Sequence, residues 1–281
     1  MKVLQTKGWE DYELLDSGNG FRLERFGKYI ISKPDPQAIW KQSLSQSEWE
    51  NADAKYQNNT WVKKPNFPEK WEIKYKSLRF YARLTPFKHT GIFPEQSINW
   101  DFIENILKNV NYQPNILNLF AYTGVASLVA ASSNAKVTHL DASKPSISWA
   151  KENQEASKLT DKPIRYILDD AISFTAREIR RGNKYDGIIM DPPSYGHGPS
   201  KEVWDFNQSF PILLENLSKL LEDKPLFVIS NAYAISSSSI MLNNLFEDYF
   251  PKGNLEYGEL ALEQQNNRLL STGIVSRLSF I

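Results

Sequence analysis

Residues 116–127 read ILNLFAYTGVAS: an apolar run, a turn with one glycine, and the small residues of a helix start. A short apolar run closed by a turn and followed by helical spacing is the mark of a buried strand feeding a helix. The pattern recurs downstream. A helix over about 124–134 leads to the strand VTHLD, one over about 144–158 to IRYIL, one over about 170–181 to YDGIIMD, and one over about 203–222 to LFVISN. Strands alternating with helices in this way predict a doubly wound, mostly parallel α/β sheet. Its ligands belong beyond the carboxyl ends of the strands.

The tail breaks the alternation. LEYGELALEQ (255–264) and STGIVSRLSF (271–280) follow one another with only a short polar stretch between them, which predicts a closing antiparallel hairpin. Upstream, residues 1–85 hold short alternating runs (YELL, FRLERFGKYIIS, and WEIKYKSLRFYARL from Trp71 to Leu84), an SGNG turn at 17–20 and several prolines. Helical spacing there is weak outside about 37–55. The expectation is a small β-rich accessory domain over 1–85 and a main domain over 86–281.

Composition narrows the function. The 281 residues are 41% apolar, enough for a sizeable core. Lys and Arg number 33 and so do Asp and Glu, so no global charge announces a nucleic-acid partner. There is no cysteine, which excludes disulfides, thiolate metal sites and a thiol nucleophile from this chain. The start, MKVLQTKGWEDYELL, lacks the apolar core of a signal peptide, and no run approaches a membrane span of about 18 apolar residues. A cytoplasmic protein without a membrane or metal partner is expected; oligomeric state is not encoded legibly.

Three strand ends carry candidate ligand groups. NLFAYTGVAS (118–127) has one glycine, Gly124, where a dinucleotide fingerprint needs three, so a pyrophosphate cradle is not expected. An ordinary turn with Thr123 as helix cap is the simpler reading. Asp141, ending THLDAS just before Ala142, either accepts the two hydroxyls of a ribose or caps the next helix. At the third strand end ILDDAISF offers Asp169 and Asp170, the latter, before Ala171, standing where a helix cap would.

The fourth strand ends in MDPPSY, residues 190–195. Pro192 and Pro193 have no N–H, end ladder pairing, bias the preceding residue toward extended backbone and leave carbonyls as acceptors. Asp191 and the Pro192 carbonyl then form a rigid acceptor edge, and Tyr195 offers a ring on which a flat substrate stacks. A proline-terminated strand with a polar loop is the alternative.

These motifs resemble those of class I S-adenosylmethionine-dependent methyltransferases. Within that class, DPPSY together with FKHTGIFPEQSINW (87–100) resembles the large-subunit ribosomal RNA methyltransferase group, whose corresponding segment runs K-T-G-x-F-x-D-Q. His89 departs from that segment, and Glu95 stands where aspartate is usual. The resemblance covers about residues 86–235. It implies a Rossmann-like, seven-stranded sheet with an antiparallel last strand. Asn118, Phe120, Tyr122, Thr123 and Gly124 then surround the methionine part of S-adenosylmethionine, Asp141 with Ala142 its ribose, and Asp170 with Ala171 its adenine. Phe93 and Gln96 cover the cofactor, and Lys88 or His89 faces substrate phosphate.

Residues 61–88 sharpen the substrate question. Eight cations, among them Lys74, Lys76 and Arg79, face only Glu69 and Glu72, a local net of +6 interleaved with aromatics. This is either an RNA-contacting face, with rings for unpaired bases and cations for phosphate, or a core of alternate aromatics behind a solvated basic face. Methylation at carbon 5 of a pyrimidine needs a cysteine adduct. The serines of SNAYAISSSS (230–239) are poor substitutes for a thiolate. The expected reaction is therefore direct in-line transfer to a base nitrogen in RNA, most readily ribosomal RNA. The alternatives are a methyltransferase for protein or small molecules and a non-catalytic RNA- or adenosine-ligand-binding protein.

Overall fold

In the computed structural model, which describes residues 1–233 and 237–281, two compact units emerge. Residues 234–236, inside the SNAYAISSSS stretch, lie outside the described residues. One unit comprises Met1–Leu4, Asn99–Leu260 and Gly273–Ile281; the other comprises Gln5–Ile98 and Ala261–Thr272.

In chain order the elements begin with β1 (Lys2–Thr6), β2 (Tyr12–Gly18), β3 (Phe21–Phe26), β4 (Tyr29–Pro34), α1 (Gln46–Glu50), β5 (Ala54–Gln57), β6 (Thr60–Lys63), β7 (Trp71–Tyr75) and β8 (Leu78–Ala82). A 3-10 turn at Pro94–Gln96 opens α2 (Ser97–Leu107). There follow β9 (Asn115–Leu119), α3 (Val125–Ser132), β10 (Lys136–Asp141), α4 (Lys144–Ala156), β11 (Ile164–Leu168), α5 (Ala171–Arg180) and β12 (Gly187–Met190). The chain ends with β13 (Tyr195–His197), β14 (Val203–Asp205), α6 (Phe206–Leu220), β15 (Phe227–Ala232), α7 (Ser239–Tyr249), β16 (Asn254–Glu263) and β17 (Leu269–Ser279).

The larger sheet runs β1-β16-β17-β15-β12-β9-β10-β11. From β15 to β11 neighbouring strands are parallel, and β17 is antiparallel to β15. The seven expected strands are present, and β1 adds an eighth at the edge beyond β16. The central strands β12 (GIIM) and β15 (FVISNA) are buried at every residue. Continuous apolar runs of this kind belong to parallel strands covered on both faces. Leu117, Leu119, Ile188, Met190 and Val228 of the sheet share one apolar cluster with Phe174 of α5, Phe210, Leu213 and Leu217 of α6, and Leu242 and Phe246 of α7. α3 and α4 bury Leu128, Val129, Ile147, Trp149 and Ala150.

The second unit holds a five-stranded sheet, β2-β3-β4-β5-β6, and the β7-β8 hairpin. The helix expected near 37–55 shrinks to α1. Asn19 N donates to Trp40 O and Gly20 N to Ala38 O, while Asp16 Oδ2 accepts from Ser43 N, Leu44 N and Trp49 Nε1 at 2.9 Å each. Backbone committed to those partners cannot close helical turns. The unit also runs past residue 85, the expected boundary. Arg83 N donates to Thr90 O, Thr85 N to His89 O, Thr6 Oγ1 to Pro94 O and Tyr75 Oη to Ser97 O, which ties the 86–98 segment into it.

A buried charge cluster lies in this unit. Glu24, fully buried, accepts from the Tyr12 hydroxyl at 2.8 Å and forms ion pairs with Lys33 Nζ at 2.8 Å and Arg22 Nε at 3.3 Å, and Arg22 also reaches Asp35 at 3.6 Å. Burial pushes the Glu24 carboxyl up, but Arg22, Lys33 and Tyr12 outweigh it and hold the group below the ordinary carboxylate range.

Candidate active site

The strand register sets the frame. Leu140 and Met190 both pair with Leu119, and Asp141 pairs with Leu168, so β12, β9, β10 and β11 end at nearly one level. Three inter-strand steps of roughly 4.8 Å make an edge about 14 Å wide. The order reverses at β9, which lies between β10 and β12, and such a switch point opens a crevice at the carboxyl edge.

The loop after β9 turns sharply. Phe120, Tyr122 and Gly124 adopt φ of 53°, 49° and 84°. For the two aromatic residues this costs about 1–3 kcal/mol each, a cost tolerated where surrounding contacts fix the backbone. Here the fixing contacts are Ala121 N to Leu140 O, Tyr122 N to Asp141 Oδ2 at 2.8 Å, and Asn153 Nδ2 to Thr123 O at 2.9 Å. Gly124, not Thr123, is the N-cap of α3, so the side-chain cap expected of Thr123 is absent. A Cβ on Gly124 would fall 2.9 Å from Ala150 Cβ and 3.3 Å from His139 Cε1, so only glycine fits this turn.

Beneath the loop runs a chain of polar side chains that the sequence reading missed. Asn118 Nδ2 donates to Ser127 Oγ at 2.9 Å, and Ser127 Oγ meets His139 Nδ1 at 3.0 Å. Burial lowers the imidazole to about 3, so His139 stays neutral and rigid. A histidine inside a central strand, KVTHLD, was the available signal.

Asp141 is half-buried and accepts from Tyr122 N and Ser143 N at 2.8 Å, one bond on each oxygen. Ser143, not Asp141, caps α4, which removes the capping alternative for this carboxylate. Burial raises its pKa and the two backbone bonds oppose the rise. Each oxygen retains a lone pair for a hydroxyl donor. The neighbouring Tyr122 phenol is pushed up to about 12 by burial and then by Asp141, and so keeps its proton. Asp170 does cap its helix, α5, accepting from Ser173 N at 2.8 Å through Oδ1. Ala142 is half-buried after Asp141, and Ala171 is buried as the first residue of α5.

After β12, Asp191 is half-buried, Pro192 buried and Tyr195 58% exposed. Residues 195–205 are not a loop running into a helix at 203. β13 and β14 form an antiparallel ribbon, and α6 starts after it, capped by Asp205. Trp204, buried, donates Nε1 to Pro193 O at 2.7 Å and packs edge-on against Phe120 at 4.8 Å. Of the two proline carbonyls, the second is thus occupied. The GPSK turn between short runs was the sequence signal for this hairpin.

Phe93, Gln96, Lys88 and His89 belong to the second unit. Phe93 packs against His89 at 5.2 Å, and Gln96 ends the 3-10 turn that Pro94 opens. Burial, then Lys33, Arg22 and Lys88, lower His89 to about 4, so it carries no charge near neutral pH. In β7 and β8 the alternation is strict: Trp71, Ile73, Tyr75, Leu78 and Phe80 are buried, and Glu72, Lys74, Lys76 and Arg79 are exposed. These aromatics are core, behind a solvated basic face on which Arg79 pairs with Glu72. Among the described residues no cluster of His, Cys, Asp or Glu suits a metal ion, and no helix is long and apolar enough to cross a membrane.

A parallel sheet with this switch point, a strained glycine turn at its first strand and carboxylates at the next two define a nucleoside-cofactor enzyme. Residues 42–247 match the S-adenosylmethionine-dependent methyltransferase family, and the chain belongs to it. It is an S-adenosylmethionine-dependent methyltransferase. It is similar to the SAM-dependent methyltransferase from Agrobacterium tumefaciens, with a TM-score of 0.97 and 38% identity over 100% of this chain and 94% of that one. SMU.776, solved in complex with SAH, has the same fold at a TM-score of 0.70 and 20% identity, covering 95% of this chain and 75% of that one. Ribosomal RNA large subunit methyltransferase K/L of Pseudoalteromonas atlantica is 33% identical over 162 residues, 57% of this chain. Its counterpart in Shewanella frigidimarina is 33% identical over 155 residues, 54% of this chain. The chain spans only 22% and 21% of the length of those two proteins.

Proposed function

We propose that this methyltransferase modifies a base nitrogen in RNA, ribosomal RNA in the first instance, by direct in-line transfer. The observation that carries the reading is Tyr195, an exposed ring that follows Asp191 and Pro192 by a few residues, just beyond the end of β12 at the switch point. S-adenosylmethionine supplies an electrophilic methyl on a sulfonium. Asn118 and the Phe120–Gly124 turn would hold its methionine part, Asp141 its ribose hydroxyls and Asp170 its adenine amino group. Asp191 and Pro192 O orient the acceptor amine by accepting its hydrogens, Tyr195 fixes the ring, and the nitrogen lone pair displaces sulfur while water takes the released proton. The absence of cysteine supports a route without an enzyme adduct. The relatives named for ribosomal RNA support the substrate class. A labelled-methyl assay on total RNA, protein extract and small metabolites tests the reading: label is expected in RNA, and label confined to either other pool overturns it.

Asp141→Ala is expected to weaken S-adenosylmethionine binding by about 1.5–3 kcal/mol, the worth of charge-assisted hydrogen bonds. Isothermal calorimetry checks this, and an unchanged affinity removes the ribose assignment. The exposed cations of β7 and β8 support a contribution to RNA binding. Replacing Lys74, Lys76 and Arg79 by glutamine is expected to lower RNA affinity and flatten its salt dependence. A folded triple variant with the parental affinity and slope overturns that contribution.

A further inference from the structure

Beyond the acceptor contact given to Tyr195, the β13–β14 ribbon presents residues, His197 and Val203, that methyl transfer does not use. Tyr195 pairs with Asp205, Gly196 with Trp204 and His197 with Val203. Alternation therefore puts Tyr195 and His197 on one face and Trp204 on the other. The Trp204 face is the anchor, buried against Phe120 and bonded to Pro193 O. The opposite face is open, with Tyr195 58% exposed, Val203 60% exposed and His197 exposed. The two rings stand 5.4 Å apart at 86°.

We infer that this ribbon reads the nucleotide next to the acceptor, with His197 as a substrate-specificity residue, so that the enzyme takes its target from an unpaired RNA segment. The inference rests on the RNA reading above. A flat base laid on the Tyr195 ring lies perpendicular to the imidazole, whose ring nitrogens then reach the edge or phosphate of the adjoining nucleotide. Ring stacking and in-plane hydrogen bonds are the contacts by which unpaired RNA is bound, and a duplex, with its bases stacked inside, cannot offer them.

The ribbon is built to hold its shape. At its tip Gly198 N donates to Glu202 O at 2.8 Å, Lys201 N to Gly198 O at 3.1 Å, and Ser200 N to Glu202 Oε2 at 2.8 Å. A Cβ on Gly198 would lie 2.3 Å from Glu202 Oε2 and would push that carboxylate off the turn. At the base, Asp205 accepts from Gln208 N. Both acidic side chains of the ribbon are thus spent on backbone N–H groups, while Lys201 is exposed at the tip. A platform fixed before binding loses little entropy on contact.

Fluorescence anisotropy with end-labelled unpaired oligo(A), oligo(U) and oligo(C) of about twelve nucleotides, a length within the footprint of single-strand sites, and with an RNA duplex of equal length tests this. His197→Ala is expected to weaken binding of at least one unpaired oligomer on the order of fivefold, while duplex binding and S-adenosylmethionine affinity stay at parental values. His197→Phe, which keeps a ring but neither nitrogen, is expected to retain most of the loss, and recovery by it would overturn the role given to the imidazole nitrogens. If the parental protein binds unpaired RNA and His197→Ala binds it equally, the ribbon assignment falls and the RNA reading stands. If the parental protein binds the duplex more tightly than any unpaired oligomer, the unpaired target is wrong. If it binds neither, the RNA reading falls and the ribbon assignment with it.

Discussion

Glu24→Ala lowers the stability of the protein by about 3–5 kcal/mol, the usual consequence of removing one partner from a buried ion cluster. The size follows from what is left behind. Arg22 retains Asp35 at 3.6 Å, but Lys33, whose Nζ lies 2.8 Å from Glu24, loses the carboxylate that holds its ammonium in the core. Burial, and then Arg22, already lower the Lys33 pKa below its ordinary value; Glu24 is what pulls it back. In the variant the amine drops further. A lysine with a folded pKa below its unfolded value of about 10.4 makes the unfolded state the greater proton binder, so stability rises with pH through that window. The deficit measured at neutral pH therefore shrinks toward pH 10. Urea melts at several pH values check both parts: the midpoint is expected to fall with little change in slope. Glu24→Gln, which keeps volume and an acceptor for the Tyr12 hydroxyl, is expected to fall between parent and alanine. A loss below about 1 kcal/mol for the alanine variant, or a deficit that grows with pH, removes the claim that this cluster holds the smaller sheet together.

Physical causes separate what the sequence made legible from what it did not. β9, β10, β12 and β15 announce themselves because strands covered on both faces are mostly apolar, and short runs such as GIIM and FVI between helical segments are hard to mistake. The carboxylates followed from the strands, since Asp141 and Asp170 stand at or just beyond their ends. β1 has no such signature: KVLQT joins a strand more than two hundred residues away, a partner no local pattern encodes. The same holds for 37–45, whose local spacing is helical but whose backbone is claimed by Asp16, Asn19 and Gly20. Within the site, three-residue strands are too short for periodicity to register, so the β13–β14 ribbon and its Trp204 anchor stayed hidden behind an expected helix. The alternating aromatics of β7 and β8 show a further limit. A basic, aromatic-rich stretch reads alike whether its rings face RNA or the core, and only burial separates the two.

Asp191→Ala and Tyr195→Ala each lower turnover on the order of 10²-fold or more while leaving S-adenosylmethionine affinity and folding near parental values. The expectation rests on where the two residues stand. β12 ends in a pair of prolines that cannot extend the ladder, Pro193 O is held by Trp204, and that bond pins the backbone carrying Asp191, Pro192 O and Tyr195 against the Phe120 turn. In the proposed reaction an acceptor amine oriented there would meet the methyl donor in line without a base of matched pKa, so the rate would depend on position and a lost positioning contact would be felt in kcat. In the proposed reading cofactor affinity rests on other groups, the Phe120–Gly124 turn and the carboxylates of Asp141 and Asp170, and is not expected to follow. Trp204→Phe separates geometry from contact: it keeps the ring against Phe120 but frees Pro193 O, and an intermediate loss of turnover is expected. Steady-state kinetics on the RNA that accepts label, with calorimetry on the same preparations, reads all three variants. Parental turnover in Asp191→Ala or Tyr195→Ala reduces that residue to part of a turn, equal losses of turnover and cofactor affinity move it into the cofactor site, and a trapped covalent enzyme–RNA adduct ends the direct-transfer mechanism.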